Sequence, residues 1–219
     1  MIFYDQKDAF FYSSKINDAA IFSGFGTKNT PYSNLLSPYL LNSQWQTHST
    51  NIKYVNKPNS DLSDNDGFIT KEKGIYLIAK TADCVPLIFV DKKNLIIGIS
   101  HQGWKGTLDK MAMKMVNELV DCGAEIDQLQ VAIGPAICKK CYVVSSGLYI
   151  EFAKKFSLKG SDYHLDLKQI NYQQLLTAGL KPEQIDLAQN CTFCEKELFY
   201  SYRRDKEEDK RMINFVVLK

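Results

Sequence analysis

The sequence has little histidine, little net charge and no long apolar run. Only three histidines occur, at positions 48, 101 and 164, so chemistry built on imidazole falls on very few places. No uninterrupted apolar stretch approaches the roughly 18 to 20 residues that a membrane helix needs, so no membrane span is expected. Lys and Arg number 27 against 25 Asp and Glu, a formal net charge of +2. That balance carries no electrostatic footprint for a nucleic acid or an anionic lipid surface. Internal repeats and low-complexity segments are also lacking. The N-terminus, MIFYDQKDAFFYSSK, carries charges within its apolar stretch and does not read as a targeting signal. A cytoplasmic location follows as an expectation. In that compartment the six cysteines should be reduced thiols or metal ligands rather than a disulfide framework.

What is present is ordinary for a globular chain: 45% hydrophobic and 24% charged residues over 219 positions. That length suits one large domain or two small ones, and a single domain over residues 1–219 is expected. The first forty residues read as irregular apart from a strand at Ala19–Phe25. The polar stretch Asn56–Gly67 reads as an exposed loop. Short apolar runs with β-branched residues then predict strands at Gly74–Ala79, Val85–Val90, Asn94–Ser100, Leu129–Ile133 and Met212–Leu218. Between Thr107 and Cys122, apolar residues recur at three- and four-residue spacing, which predicts one amphipathic helix closed by Gly123. Its methionines read as core packing. Further helices are expected at Gly147–Phe156 and Leu167–Ala178. The alternation predicts an α/β fold, a mixed β-sheet core with flanking helices.

Four constellations carry potential chemistry. Cys84, in Thr81-Ala82-Asp83-Cys84, and His101, in His101-Gln102-Gly103-Trp104-Lys105-Gly106-Thr107, both lie at strand ends, where α/β proteins place active sites. Such a pair is suited to act as nucleophile and base, to share a metal, or simply to pack in a tight turn. Gly103 and Gly106 permit a close backbone approach beside a helix start, a place for phosphate. His48, with Cys84 and His101, makes a three-ligand set that matches catalytic zinc, although spacing alone leaves a structural role for His48 open. His164 reads as a surface residue. Cys138-x2-Cys141 and Cys191-x2-Cys194 are two C-x2-C pairs about fifty residues apart. They are readable as packed thiols, as a redox pair or as a structural four-Cys zinc site. Finally, Arg203 and Arg204, flanked by aromatics in LFYSYRRD, suit phosphate and a stacked base, or a solvated strand end. A nucleobase-deaminase signature is excluded, because no histidine here stands in H-x-E.

Taken together, Gln46-Thr47-His48, TADCVPLIF, HQGWKGT, IGPAICKKCYVV and CTFCEKELFYSYRRD resemble the YfiH-like, laccase-domain (multicopper polyphenol oxidase) family, in that family's order and over most of the chain from Gln46. The resemblance implies an α/β fold and a catalytic zinc on His48, Cys84 and His101. Cys84 and His101 would also be the catalytic pair. It implies phosphorolysis of purine nucleosides (adenosine, inosine, guanosine, methylthioadenosine), with possible adenosine deamination. The partners would be nucleoside and phosphate, with Arg203 and Arg204 as substrate-binding candidates, in a monomer or homodimer. Copper-dependent phenol oxidation, metal-free Cys–His hydrolysis and cell-wall precursor editing are the alternatives. Three departures stand out: only Leu36 to Trp45 separate Asn34-Leu35 from Gln46, where the family has a longer segment; Lys28 replaces the usual Arg; and the tail Asp205–Arg211 lacks the usual Gly- and Thr-containing turn.

Overall fold

Two β-sheets lie face to face, and helices cover the outer face of one of them. The computed structural model describes residues 1–35, 46–58, 61–160, 162–207 and 209–219. The shortened segment Leu36 to Trp45 lies outside the described residues. The first sheet contains β1 (Ile2–Asp5), β2 (Phe10–Ser13), β3 (Ile21–Gly26), β6 (Tyr76–Thr81) and β11 (Met212–Leu218), in the order β1-β2-β3-β11-β6. All its pairings are antiparallel. The second contains β4 (Ile52–Tyr54), β5 (Gly67–Thr70), β7 (Val85–Asp91), β8 (Ile96–Gln102), β9 (Leu129–Ile133) and β10 (Ile185–Leu187), in the order β10-β9-β7-β8-β5-β4. It is mixed, with parallel pairs only at its two edges.

Strand β7 shows why these residues fold this way. Successive side chains of a strand point to opposite faces. Leu87 and Phe89 enter the core shared with the helices, while Ile88 and Val90 enter the core between the sheets. All four are wholly buried. A strand covered on both faces must be apolar at every position, and VPLIFV is such a run. The helical layer is made mainly by α3 (Met111–Asp121), α4 (Ser146–Phe156) and α5 (Leu167–Thr177). Met111 and Met115 are fully buried, as expected of core methionines. They approach the sheet closely because Gly67 has no side chain there: a Cβ on it would lie 2.6 Å from Met111 Cε and 2.7 Å from Met115 Sδ.

The structure departs from the sequence reading at several points. The expected mixed β-sheet core is divided into two sheets. The irregular N-terminal region contains β1 and β2, and the short strands β4, β5 and β10 were not foreseen. The helix expected from Thr107 to Cys122 is two pieces, α2 (Trp104–Leu108) and α3, separated at Lys110, whose φ of 60° is left-handed. That break turns the chain so that α2 stays at the sheet's end while α3 runs beneath it. Buried Asn171 and Gln174 of α5 hold α2 in place, donating to Thr107 Oγ1 at 2.9 Å and to the Thr107 carbonyl at 2.7 Å. No helix among the described residues is long and apolar enough to cross a membrane.

Candidate metal centre

Strand direction brings the site together. β8 runs antiparallel to both β5 and β7, so its end lies beside their beginnings. His101 is the penultimate residue of β8, Asp66 precedes β5 and Cys84 precedes β7. Pro86 faces His101 across the ladder, and the His101 N–H donates to the Asp66 carbonyl at 2.8 Å. His48 arrives from outside the sheet. Gln46 anchors that arrival by accepting the Lys80 N–H of β6 at 2.7 Å. Cys84 Sγ lies 3.8 Å from His48 Nε2, and the two imidazole rings are 4.8 Å apart and nearly perpendicular. The three ligand atoms of His48, Cys84 and His101 lie within 4.8 Å of one another. Exposure is graded: His101 is buried, Cys84 intermediate and His48 exposed, so the group opens to solvent on the His48 side.

Asp66, which the sequence reading left within an exposed loop, is fully buried and organises this group. Its Oδ1 takes the Nδ1 of His101 at 2.7 Å and the backbone N–H of His48 at 3.2 Å. Its Oδ2 takes the N–H groups of Thr47 and Ser49 and the Ser49 hydroxyl, at 3.2, 2.7 and 2.9 Å. With Nδ1 bound to a carboxylate, the Nε2 lone pair of His101 faces the cluster, the arrangement found behind metal-ligating histidines. Burial opposes charge on Asp66, but His101 and Ser49 outweigh it and hold the carboxyl below its usual range. Burial likewise opposes charge on Cys84 and His101. Their mutual attraction prevails: His101, aided by His48, brings the Cys84 thiol down to about 6, and Cys84 with Asp66 raises His101 to about 9. Two imidazoles, a ready thiolate and a carboxylate behind one imidazole fit a thiophilic divalent ion with three protein ligands and an open position.

A second carboxylate secures the other flank. Asp83, beside Cys84, has a left-handed φ of 89° and is buried. Its Oδ1 accepts the Thr192 hydroxyl at 2.6 Å. Its Oδ2 accepts the Ser201 hydroxyl at 3.0 Å and the Arg203 N–H at 2.7 Å. The guanidinium of Arg203 lies over the Tyr142 ring at 5.0 Å and donates one N–H to the Val143 carbonyl at 2.7 Å. Burial and the nearby Cys84 thiolate push the Tyr142 phenol up to about 12, leaving it a neutral donor. Arg204, the other substrate-binding candidate, is engaged differently. A guanidinium has five N–H donors, and all five are engaged within the chain. They go to both carboxylate oxygens of Asp205 and to the carbonyls of Thr192, Phe193 and Phe199. Arg204 is therefore a clamp on its own loop. His164 lies apart from the site, with its Nδ1 2.6 Å from the Asp162 carbonyl oxygen.

The fold and the site together define an α/β protein built around a two-His, one-Cys group that could hold a metal ion. Residues 34–219 match the family described as multi-copper polyphenol oxidoreductase laccase, and the chain belongs to that family. It is 33% identical over 193 residues to a Bacillus subtilis protein named purine nucleoside phosphorylase YlmD, covering 80% of this chain and 69% of the relative. It is also 33% identical over 178 residues to a protein named adenosine deaminase RL5, from an unknown prokaryotic organism, covering 73% of this chain and 68% of the relative. The crystal structure of YlmD from Geobacillus stearothermophilus superposes with a TM-score of 0.82 at 26% identity, covering 100% of this chain and 99% of that one.

Two predictions follow from this geometry. A Cβ on Gly103 would lie 2.3 Å from His48 Cδ2, whereas one on Gly106 meets nothing closer than 3.5 Å. Gly103→Ala should therefore displace His48 and weaken zinc binding by at least about tenfold, while Gly106→Ala should bind as the parent does. Chelator-competition titration measures both, and equal affinities for the two variants would contradict this account. The second concerns pH. A metal takes His101 only in its neutral form, so binding below about pH 9 must expel that proton. Zinc affinity should fall about tenfold for each pH unit lowered between about 9 and 6, and more steeply below about 6, where Cys84 also protonates. The same titration across this range, with proton release followed calorimetrically, reads the slope; a flat profile would contradict it.

Proposed function

We propose that this chain is a zinc-dependent purine nucleoside phosphorylase of the cytoplasm. Its substrates would be adenosine, inosine, guanosine and methylthioadenosine, with adenosine deamination as a side activity. The observation that carries the proposal is the His48–Cys84–His101 group, backed by Asp66 and open on one side. The relatives' names support the choice of substrate. A zinc ion held by these three residues would supply Lewis-acid charge beside the open position.

The chain's own residues do the remaining work. Asp66 keeps the His101 ring in one tautomer and one orientation, so the site is formed before substrate arrives. Asp83 holds the backbone of Arg203, and Tyr142 supports its guanidinium from one face, leaving its donors beyond Val143 for phosphate. Backbone N–H groups of the Gly103–Gly106 turn are the second phosphate contact in this reading. Phosphate oxygen attacks C1′ of the ribose, the bond from C1′ to the purine nitrogen breaks, and the free base and ribose 1-phosphate result. Deamination of adenosine would instead place water at C6 of the same bound purine and release ammonia.

The test is product analysis on metal-quantified protein given adenosine with and without phosphate. Adenine and ribose 1-phosphate should form only with phosphate, and in the same assay Arg203→Ala should raise the KM for phosphate. Absence of both products would overturn the proposal. Turnover that survives complete metal removal would favour Cys84 as nucleophile with His101 as base. Phenol oxidation by copper-loaded protein, without phosphorolysis, would favour copper chemistry, for which a two-His, one-Cys donor set is also suited.

A further inference from the structure

The two C-x2-C pairs, about fifty residues apart in sequence, meet in space. All four sulfurs of Cys138, Cys141, Cys191 and Cys194 lie within 4.8 Å of one another. Cys138 Sγ is 3.6 Å from Cys141 Sγ, and Cys141 Sγ is 3.4 Å from Cys194 Sγ. These separations are far beyond the roughly 2.05 Å of a disulfide. They are close to the edge of a tetrahedron with zinc–sulfur bonds of about 2.3 Å, which is about 3.8 Å. The thiols are free and unbridged.

The surrounding backbone is built to bring them together. A tight turn over Lys139–Cys141 folds the first pair, with the Cys141 N–H donating to the Cys138 carbonyl at 3.0 Å. A parallel bridge joins Ala136 to Cys191. The Thr192 N–H donates to the Ala136 carbonyl at 3.2 Å, drawing the second pair onto the first. The Cys138 N–H points at Cys191 Sγ at 3.3 Å, a contact that supports a thiolate. Two cations grip the same backbone from outside. Nearly buried Lys168 donates to the carbonyls of Ala188 and Asn190, at 2.8 and 3.0 Å, just ahead of Cys191. Arg204 donates to the carbonyls of Thr192 and Phe193, between the second pair of cysteines. With a divalent ion bound, four thiolates would keep a net charge of −2, and the Lys168 ammonium offsets part of it.

We infer that Cys138, Cys141, Cys191 and Cys194 hold a structural zinc ion, separate from the His48–Cys84–His101 group. Four protein thiolates leave no open position, so this site holds structure rather than substrate. What it holds is the flank of Cys84. The Ile137 N–H donates to the Asp83 carbonyl, and Thr192 donates to the Asp83 carboxylate. The bound ion therefore ties both segments that lock the residue beside Cys84, and Arg203 with them.

The test uses Cys84→Ala, which leaves the four-Cys site intact, purified anaerobically from zinc-supplemented cells. Elemental analysis should find about two zinc ions per parent chain, and about one retained by Cys84→Ala. Cobalt-exchanged Cys84→Ala protein should show the intense thiolate-to-metal charge-transfer and visible ligand-field absorption of a tetrahedral all-sulfur site. Cys138→Ser combined with Cys194→Ser should abolish both signals. Zinc-free Cys84→Ala protein without that absorption on adding cobalt would overturn the inference, as would a disulfide among the four thiols in the anaerobically purified parent. Failure of the phosphorylase proposal would leave the zinc and the cobalt absorption of Cys84→Ala unchanged, since neither depends on turnover or on the His48–Cys84–His101 group.

Discussion

One buried carboxylate, Asp66, holds the candidate metal centre together. It fixes the His101 ring through Nδ1 and carries the backbone of Thr47, His48 and Ser49. Two of the three candidate ligands thus depend on one side chain. His48 has a left-handed φ of 59°, a conformation uncommon for residues other than glycine. The hydrogen bonds from its segment to Asp66 offset that cost, and the absence of a side chain at Gly103 gives the imidazole its place.

The third ligand has a matching device. Cys84 follows Asp83, which also has a positive φ and also gathers hydrogen bonds from distant segments. Positive φ at His48 and at Asp83 beside Cys84, each compensated by a carboxylate network, gives a candidate site whose geometry the fold itself sets. The central sheet supplies the frame. Because β8 is antiparallel to β5 and β7, the positions carrying Asp66, Cys84 and His101 fall at one end of the sheet without any long excursion of the chain. The cysteine cluster lies on the Asp83 side, and Arg204 and Thr192 join it to the flank of the candidate site.

Where burial on both faces demanded continuous apolar runs, strands were legible in sequence to within a residue or two, as at β7, β9 and β11. They were illegible where the signal is mixed. The aromatic and polar residues of β1 and β2 alternate too weakly to stand out, and β4 and β10 are only three residues long. The helical period ran on through Lys110, because nothing in its side chain marks a left-handed turn. At the site, the motifs carrying His48, Cys84 and His101 were readable in sequence, but Asp66 was not. A polar stretch reads as solvent-exposed, and only the fold shows that its last aspartate turns inward to neutralise and orient a buried imidazole. The two arginines were indistinguishable for a related reason: adjacent arginines look alike in sequence, while the partners of Arg204, the Asp205 carboxylate and three loop carbonyls, are defined only in three dimensions. The four cysteines were visible as pairs, and their meeting depends on the bridge between Ala136 and Cys191.

Asp66 organises the candidate metal centre, and zinc affinity of Asp66→Asn tests this most directly. The amide retains the shape and one acceptor oxygen but loses the charge that holds the His101 N–H. With the far-ultraviolet circular dichroism of the parent preserved, zinc affinity should fall about 10- to 100-fold. An affinity equal to that of the parent would contradict the account.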